Sequence, residues 1–310
     1  MTGVKIHKMS GAGNKFVVLD GRNADMSEFR NKERIGELCA QYSTDGLMIL
    51  DSGGAYDFRM EFYNPDGSGG MMCGNGGRCI VAFADWLGVK ASSPDHYVFL
   101  APDGPHSATI IARPENDRET VPKEAFGIMS YEDCTQWTVR LKMIDVDDIK
   151  PVLDGYFLNT GTRHFVKFVE DVDSIDVEKE GKELRWDKAF APEGTNVNFV
   201  QRLPDGTLKI RTFEKGVEGE TLACGTGITA AAIAAWAATD AKGSPKAWAA
   251  PDAKAAPEVP DQIPATNGHG RISIRLQARR GDLLSVDFVP SESKADSFRE
   301  IHLTGPAEFV

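Results

Sequence analysis

The chain has 310 residues, 35 Lys and Arg against 46 Asp and Glu, a net charge of −11, and 41% hydrophobic with 26% charged content. That balance describes a globular protein, long enough for one large or two ordinary domains. It excludes non-specific nucleic-acid binding and attachment to anionic membrane, both of which need basic patches. The opening Met1-Thr2-Gly3-Val4-Lys5-Ile6-His7-Lys8 lacks the apolar core of a signal peptide. No window is long enough to span a bilayer, so a cytoplasmic protein is expected. Five cysteines, an odd number, disfavour a disulfide framework.

In chain order, Val4–Met9 alternates as a strand does, Ser10–Lys15 reads as a turn, and Phe16–Asp20 as a second strand. Ile35, Leu38 and Cys39 at helical spacing predict a helix over Lys32–Tyr42. Leu47–Leu50 and Phe58–Tyr63 read as paired strands, and Asn64-Pro65-Asp66-Gly67-Ser68 as a turn. That turn delivers Cys73-Gly74-Asn75-Gly76, followed by the small, apolar run Ile80–Leu87. Strands interrupted by Gly and Pro continue from Tyr97 to about Ala112. Residues 114–136 are charged and irregular, which places a domain boundary there: 1–136 as an N-terminal half and 137–299 as a C-terminal half. A strand begins at Thr138, and the final strand, about 300–310, is expected to pack back onto the first half.

The second half retraces the first. A Gly-rich turn into a Phe-Val strand recurs at Asn159–Val169, Thr195–Val200 parallels Leu47–Leu50, and Leu208–Glu214 parallels Phe58–Asn64. Cys224-Gly225-Thr226-Gly227 repeats the earlier Cys-Gly-x-Gly and leads into Ala230–Trp236. Phe16 to Phe165, Phe62 to Phe213 and Cys73 to Cys224 are spaced by 149, 151 and 151 residues. A register held over some sixty residues predicts two copies of one α+β unit, with the equivalent Cys-Gly-x-Gly loops on either side of a cleft. The Ala, Pro, Lys and Gly-rich stretch at about 239–270 reads as an exposed insertion. Strands resume at Ile272–Leu276 and Leu284–Val289.

One Cys-Gly pair is common, and a lone buried cysteine is more often a small core hydrophobe than a reactive group. Zinc needs close ligand pairs, which neither cysteine has, and the Cys-x-x-Cys of a redox pair is absent. The duplication favours chemistry. Glycines opening a helix turn backbone N–H groups toward an anion, and a cysteine there has its pKa lowered from about 8.5 toward roughly 3.5–7.5. Racemisation at an α-carbon needs one group to remove the proton and another to return it, with donors for the enolate-like charge. Two Cys-Gly-x-Gly turns meet both needs. Near the second motif, His164 is either an ordinary loop histidine or a group that relays a proton or orients a thiol; spacing leaves these open.

These motifs together resemble the diaminopimelate epimerase family. The likeness rests on Gly11–Phe16, Asn64–Ser68, Cys73–Cys79, Thr195–Phe199, Gly219–Gly227 and the closing Leu303-Thr304-Gly305-Pro306-Ala307. It implies an α+β fold of two pseudo-symmetric halves, each a β-sheet wrapped around a central helix, with the active site in the cleft between them. It further implies a cofactor-independent, metal-free isomerase that interconverts LL- and meso-diaminopimelate for lysine and peptidoglycan synthesis, as a homodimer. Cys73 and Cys224 would be the acid/base pair. The N–H groups of Gly74, Asn75, Gly225 and Thr226 would hold the reacting carboxylate, while Asn14, Asn64 and Asn196 bind the distal end. Glu214 and His164 match polar residues lining the family's site. Three positions depart from the pattern: Lys215 stands for the arginine that grips the distal carboxylate, keeping charge but not the bidentate fork. Thr162-Arg163 replaces Asn-Pro, and Gly46 replaces glutamine. The competing readings are a proline or hydroxyproline racemase-like enzyme of the same fold and a catalytically silent amino-acid-binding homologue.

Overall fold

The computed structural model describes residues 4–70, 72–114, 136–239, 270–294 and 296–310. Most of the charged segment and most of the Ala/Pro-rich insertion lie outside them. The chain separates into two units, Met1–Lys142 with Thr304–Val310, and Met143–Leu303.

Unit 1 holds strands β1 (Ile6–Gly11), β2 (Asn14–Asp20), β3 (Leu47–Asp51), β4 (Phe58–Tyr63), β5 (His96–Ala101), β6 (Gly104–Ala112) and β7 (Gln136–Lys142). Its helices are α1 (Lys32–Tyr42) and α2 (Gly74–Trp86). β1 and β2 extend further into the predicted turn than Ser10–Lys15 suggests, pairing Gly11 with Asn14. Only Ala12 (φ 53°) and Gly13 (φ 94°) leave the strand conformation, and positive φ at both central residues suits a two-residue hairpin turn. β2 and β3 are parallel, β3 and β4 antiparallel, β4 and β5 parallel, and β5, β6 and β7 antiparallel. Residues of the chain's last strand pair with β7 through Gly305 and Val139, and with β1 through Phe309 and Met9. The sheet thereby closes on itself.

Inside runs α2, buried on every face from Gly74 to Asp85. A surface helix shows one apolar stripe; a helix mostly of small and apolar residues fits a position enclosed by sheet. The predicted helix over 32–42 is α1, capped by Asn31, whose side chain accepts from the N–H groups of Glu33 and Arg34. It buries Ile35, Leu38 and Cys39 against Val17, Leu19, Leu47 and Ile49.

His7, on β1, packs its ring against Phe83, Trp86 and Phe309. Burial, with the Lys5 charge next, lowers its pKa from 6.5 to about 4, against a smaller upward pull from Asp20. From about pH 6.5 down to about 4 the unfolded chain binds a proton at this position and the folded chain does not, so stability is lost as pH falls through that window. In urea unfolding followed by circular dichroism, the wild-type midpoint is expected to fall more steeply over that range than the midpoint of His7→Phe. Equal slopes would remove His7 as the cause.

Unit 2 repeats the plan. Its strands are β8 (Ile149–Val152), β9 (Gly155–Asn159), β10 (Arg163–Phe168), β11 (Asn196–Arg202), β12 (Leu208–Glu214), β13 (Gly219–Thr221), β14 (Ile272–Gln277), β15 (Leu283–Pro290) and the start of β16 (Phe298–Phe309). Its helices are α3 (Val177–Arg185) and α4 (Gly225–Ala237). The order antiparallel, parallel, antiparallel, parallel, antiparallel from β9 through β10, β11, β12 and β14 to β15 matches that from β1 to β6. α4, rich in alanine, is buried from Gly227 to Ala235 and takes the place of α2. Sequence periodicity misses α3 because its buried face is Val177, Gly181 and Arg185, with one apolar side chain among the three. Among the described residues no helix is long and apolar enough to cross a membrane.

Candidate active site

Each unit presents one cysteine at the head of its enclosed helix. Cys73 is the N-cap of α2, with extended backbone (φ −100°, ψ 144°), and its Sγ accepts the Gly76 N–H at 3.1 Å. The first intrahelical bond runs from Gly77 N–H to the Cys73 carbonyl at 2.7 Å. The N–H groups of Gly74 and Asn75 therefore precede the helical ladder and point out of the helix end, where the dipole is positive. Cys224 caps α4 in the same way: Sγ accepts from Gly227 N–H at 3.4 Å, and Ile228 N–H bonds the Cys224 carbonyl at 2.8 Å. Gly225 and Thr226 are the equivalents of Gly74 and Asn75. In the other two described cysteines, Cys39 and Cys79, burial pushes the thiol pKa up, away from reactivity.

In unit 1 a line of polar groups runs from a buried cation to a surface carboxylate. Arg78 is fully buried and donates to the carbonyls of Gly74 and Pro306 and to Asn75 Oδ1. Asn75 Nδ2 donates to Asn14 Oδ1 at 2.6 Å, and Asn14 Nδ2 donates to Asp45. Arg78 fixes which end of the Asn75 amide accepts, and that choice sets Asn14 in turn. Asn64 lies in the turn before the motif, its Nδ2 donating to Ser68 Oγ at 3.0 Å.

In unit 2, His164 on β10 is fully buried; desolvation lowers its pKa from 6.5 to about 3, so the ring is neutral at ordinary pH. Its Nε2 lies 2.9 Å from both Thr162 Oγ1 and Thr226 Oγ1, and Thr226 Oγ1 lies 3.4 Å from Cys224 Sγ. Thr160 Oγ1 donates to the Thr226 carbonyl, holding the same turn. Asn196 is buried: Nδ2 donates to Thr162 Oγ1 and the Arg163 carbonyl, and Oδ1 accepts the Lys215 N–H at 2.8 Å. Lys215 is exposed just after β12, beside half-buried Glu214.

Within unit 1 the structure thus brings together Cys73, Gly74, Asn75 and Asn14, with Asn64 in the turn leading to them. Within unit 2 it joins Cys224, Gly225, Thr226 and His164 directly, and Asn196 to Lys215. Arg78, and Asn198 with its Nδ2 3.1 Å from His164 Nδ1, are the polar residues beside these groups that motif reading passes over. Both left a trace in the sequence: an arginine amid the glycines and apolar residues of a helix, and a second inward asparagine two residues after Asn196 on a strand. Among the described residues no group of three or more His, Cys, Asp or Glu is placed to hold a metal ion.

A family model described as diaminopimelate epimerase matches residues 6–108 and 156–247. A diaminopimelate epimerase from Flavobacterium psychrophilum is 35% identical over 311 residues, covering 99% of this chain and 98% of that protein. Among solved structures, a phenazine biosynthesis protein of the PhzF family from Bacillus anthracis has a TM-score of 0.63 at 12% identity, covering 100% of this chain and 97% of its own. A probable proline racemase from Agrobacterium radiobacter, crystallised with carbonate, has a TM-score of 0.57 at 13% identity, with 98% and 90% covered. At those identities the two structures share the fold.

Proposed function

The chain belongs to the diaminopimelate epimerase family, and from that premise we propose that it interconverts LL- and meso-diaminopimelate through Cys73 and Cys224. The observation that carries this reading is the duplicated cap: in each unit a cysteine Sγ heads an enclosed helix beside two N–H groups outside the ladder. One thiolate takes the α-proton and the other thiol returns one to the opposite face, so the two titrate as a coupled pair. The N–H groups of Gly74, Asn75, Gly225 and Thr226 hold the substrate carboxylate as charge builds on it, a role that backbone donors at a helix end fill without reorganisation. Asn14 and Asn64 meet the distal amino-acid end. Lys215 supplies charge there, with Asn196 placing it through the bond to its N–H. Glu214 and His164 support the thiols. No cofactor takes part, and the working form is a cytoplasmic homodimer.

The test is proton NMR of LL-diaminopimelate in deuterated buffer with reduced enzyme. Loss of the α-proton signal together with appearance of the meso isomer is the expected result. No exchange by protein shown to be folded and reduced would overturn the substrate assignment, and proline would be the next compound to try.

A further inference from the structure

The two thiols sit in unlike surroundings. Beside Gly76, three residues after Cys73, a Cβ would lie 3.1 Å from Met48 Sδ and 3.6 Å from Met60 Cε. Beside Gly227, its counterpart after Cys224, the nearest neighbour would be Asn198 Oδ1, at 2.4 Å. One helix head is backed by thioethers, the other by an amide. The residue two after each cysteine differs as well. Asn75 bonds its amide to Asn14 and Arg78, whereas Thr226 keeps its hydroxyl between His164 and Cys224.

The directions of the bonds in unit 2 can be worked out. Asn198 Nδ2 lies 3.0 Å from the Phe165 carbonyl, which only accepts, so that end of the amide carries the hydrogens. Thr212 Oγ1 donates to Asn198 Oδ1 at 3.0 Å, which agrees. The same Nδ2 lies 3.1 Å from His164 Nδ1, so Nδ1 is the acceptor and the proton of the neutral ring is on Nε2. Nε2–H then faces Thr162 Oγ1 and Thr226 Oγ1, each 2.9 Å away, and cannot accept from either, which leaves the Thr226 hydrogen for Cys224 Sγ.

We propose that Thr226 is a positioning residue for Cys224: its hydroxyl donates to Sγ, with His164 held by Asn198 as the Nε2–H tautomer and so unable to take that hydrogen. A hydrogen bond to the charged form favours it, so the arrangement supports negative charge on Cys224. Its effect on turnover rests on the epimerase reading; the states of the thiol and the ring do not.

The test alkylates the full chain with iodoacetamide near neutral pH and maps Cys224 and Cys73 by mass spectrometry in the same sample. In Thr226→Val, which keeps the shape and removes the hydroxyl, Cys224 labelling is expected to slow about tenfold relative to Cys73, and kcat to fall similarly with KM little changed. Thr226→Ser restores the donor and is expected to recover most of both losses. NMR of isotope-labelled histidine in the wild-type protein reads the tautomer directly and does not depend on any variant folding. An unchanged Cys224 to Cys73 labelling ratio in Thr226→Val, or a proton on His164 Nδ1, would overturn the proposal. If the ratio shifts as expected while wild type leaves diaminopimelate untouched, the positioning role stands and the substrate reading falls.

Discussion

Cys73→Ala is expected to lower epimerisation in both directions by roughly 100- to 10,000-fold, the range for removing one positioned acid or base. Both directions must fall together, because a catalyst cannot move the equilibrium between the isomers. The fold should survive. Alanine leaves the Gly76 N–H without its sulfur acceptor, and losing a cap costs about 1 kcal/mol against a total of about 5–15. A two-base mechanism makes a sharper claim about exchange. With Cys73 absent, Cys224 still removes the α-proton from the one isomer that presents it and returns a solvent deuteron to the same face. Exchange without inversion is therefore expected for one isomer in Cys73→Ala and for the other in Cys224→Ala. Proton NMR of each pure isomer in deuterated buffer separates the cases. Full epimerisation by Cys73→Ala, or exchange of the same isomer in both variants, would end the two-base account.

Why the thiols could be found in the sequence and much of their surroundings could not is a matter of range. The cap depends on a few consecutive residues: Cys-Gly-x-Gly, then a run too small and apolar to face water. The 151-residue spacing of the two motifs announces the repeat, and the matching strand orders of the two units follow from it. Helix α1 was legible because Ile35, Leu38 and Cys39 fall on one stripe; α3 was not, because its buried face is mostly glycine and arginine. The polar chains are long-range. Asn75 meets Asn14 across 61 residues, and His164 meets Thr226 across 62, so no local pattern links them. The tautomer of His164 is further out of reach. It depends on which end of the Asn198 amide faces the Phe165 carbonyl, a consequence of parallel pairing between β10 and β11.

The far end of α2 makes the largest stability prediction. Asp85 sits in the last turn, where the helix dipole is negative and a carboxylate is unfavourable. It is nonetheless 3% exposed. Three donors from outside the helix compensate: Trp137 Nε1 at 3.0 Å, Tyr97 Oη at 3.2 Å, and Arg113 through Nε and Nη2 at 3.0 and 2.8 Å. They come from β7, β5 and the residue after β6, so one carboxylate ties three strands to the helix that carries Cys73. Asp85→Ala leaves the buried Trp137 N–H without its acceptor and removes the charge-assisted pair with Arg113. Arg113 keeps Asp95 at 2.7 Å and is 37% exposed, which limits its share of the loss. The expected cost is about 2–4 kcal/mol, from one orphaned buried donor together with the loss of a charge-assisted pair whose cation stays partly exposed. Asp85→Asn, which retains one acceptor oxygen, is expected to cost less. Equilibrium urea unfolding of both variants measures this, and a loss below about 1 kcal/mol for Asp85→Ala, less than one neutral hydrogen bond's typical worth, would show that the carboxylate does not anchor the helix.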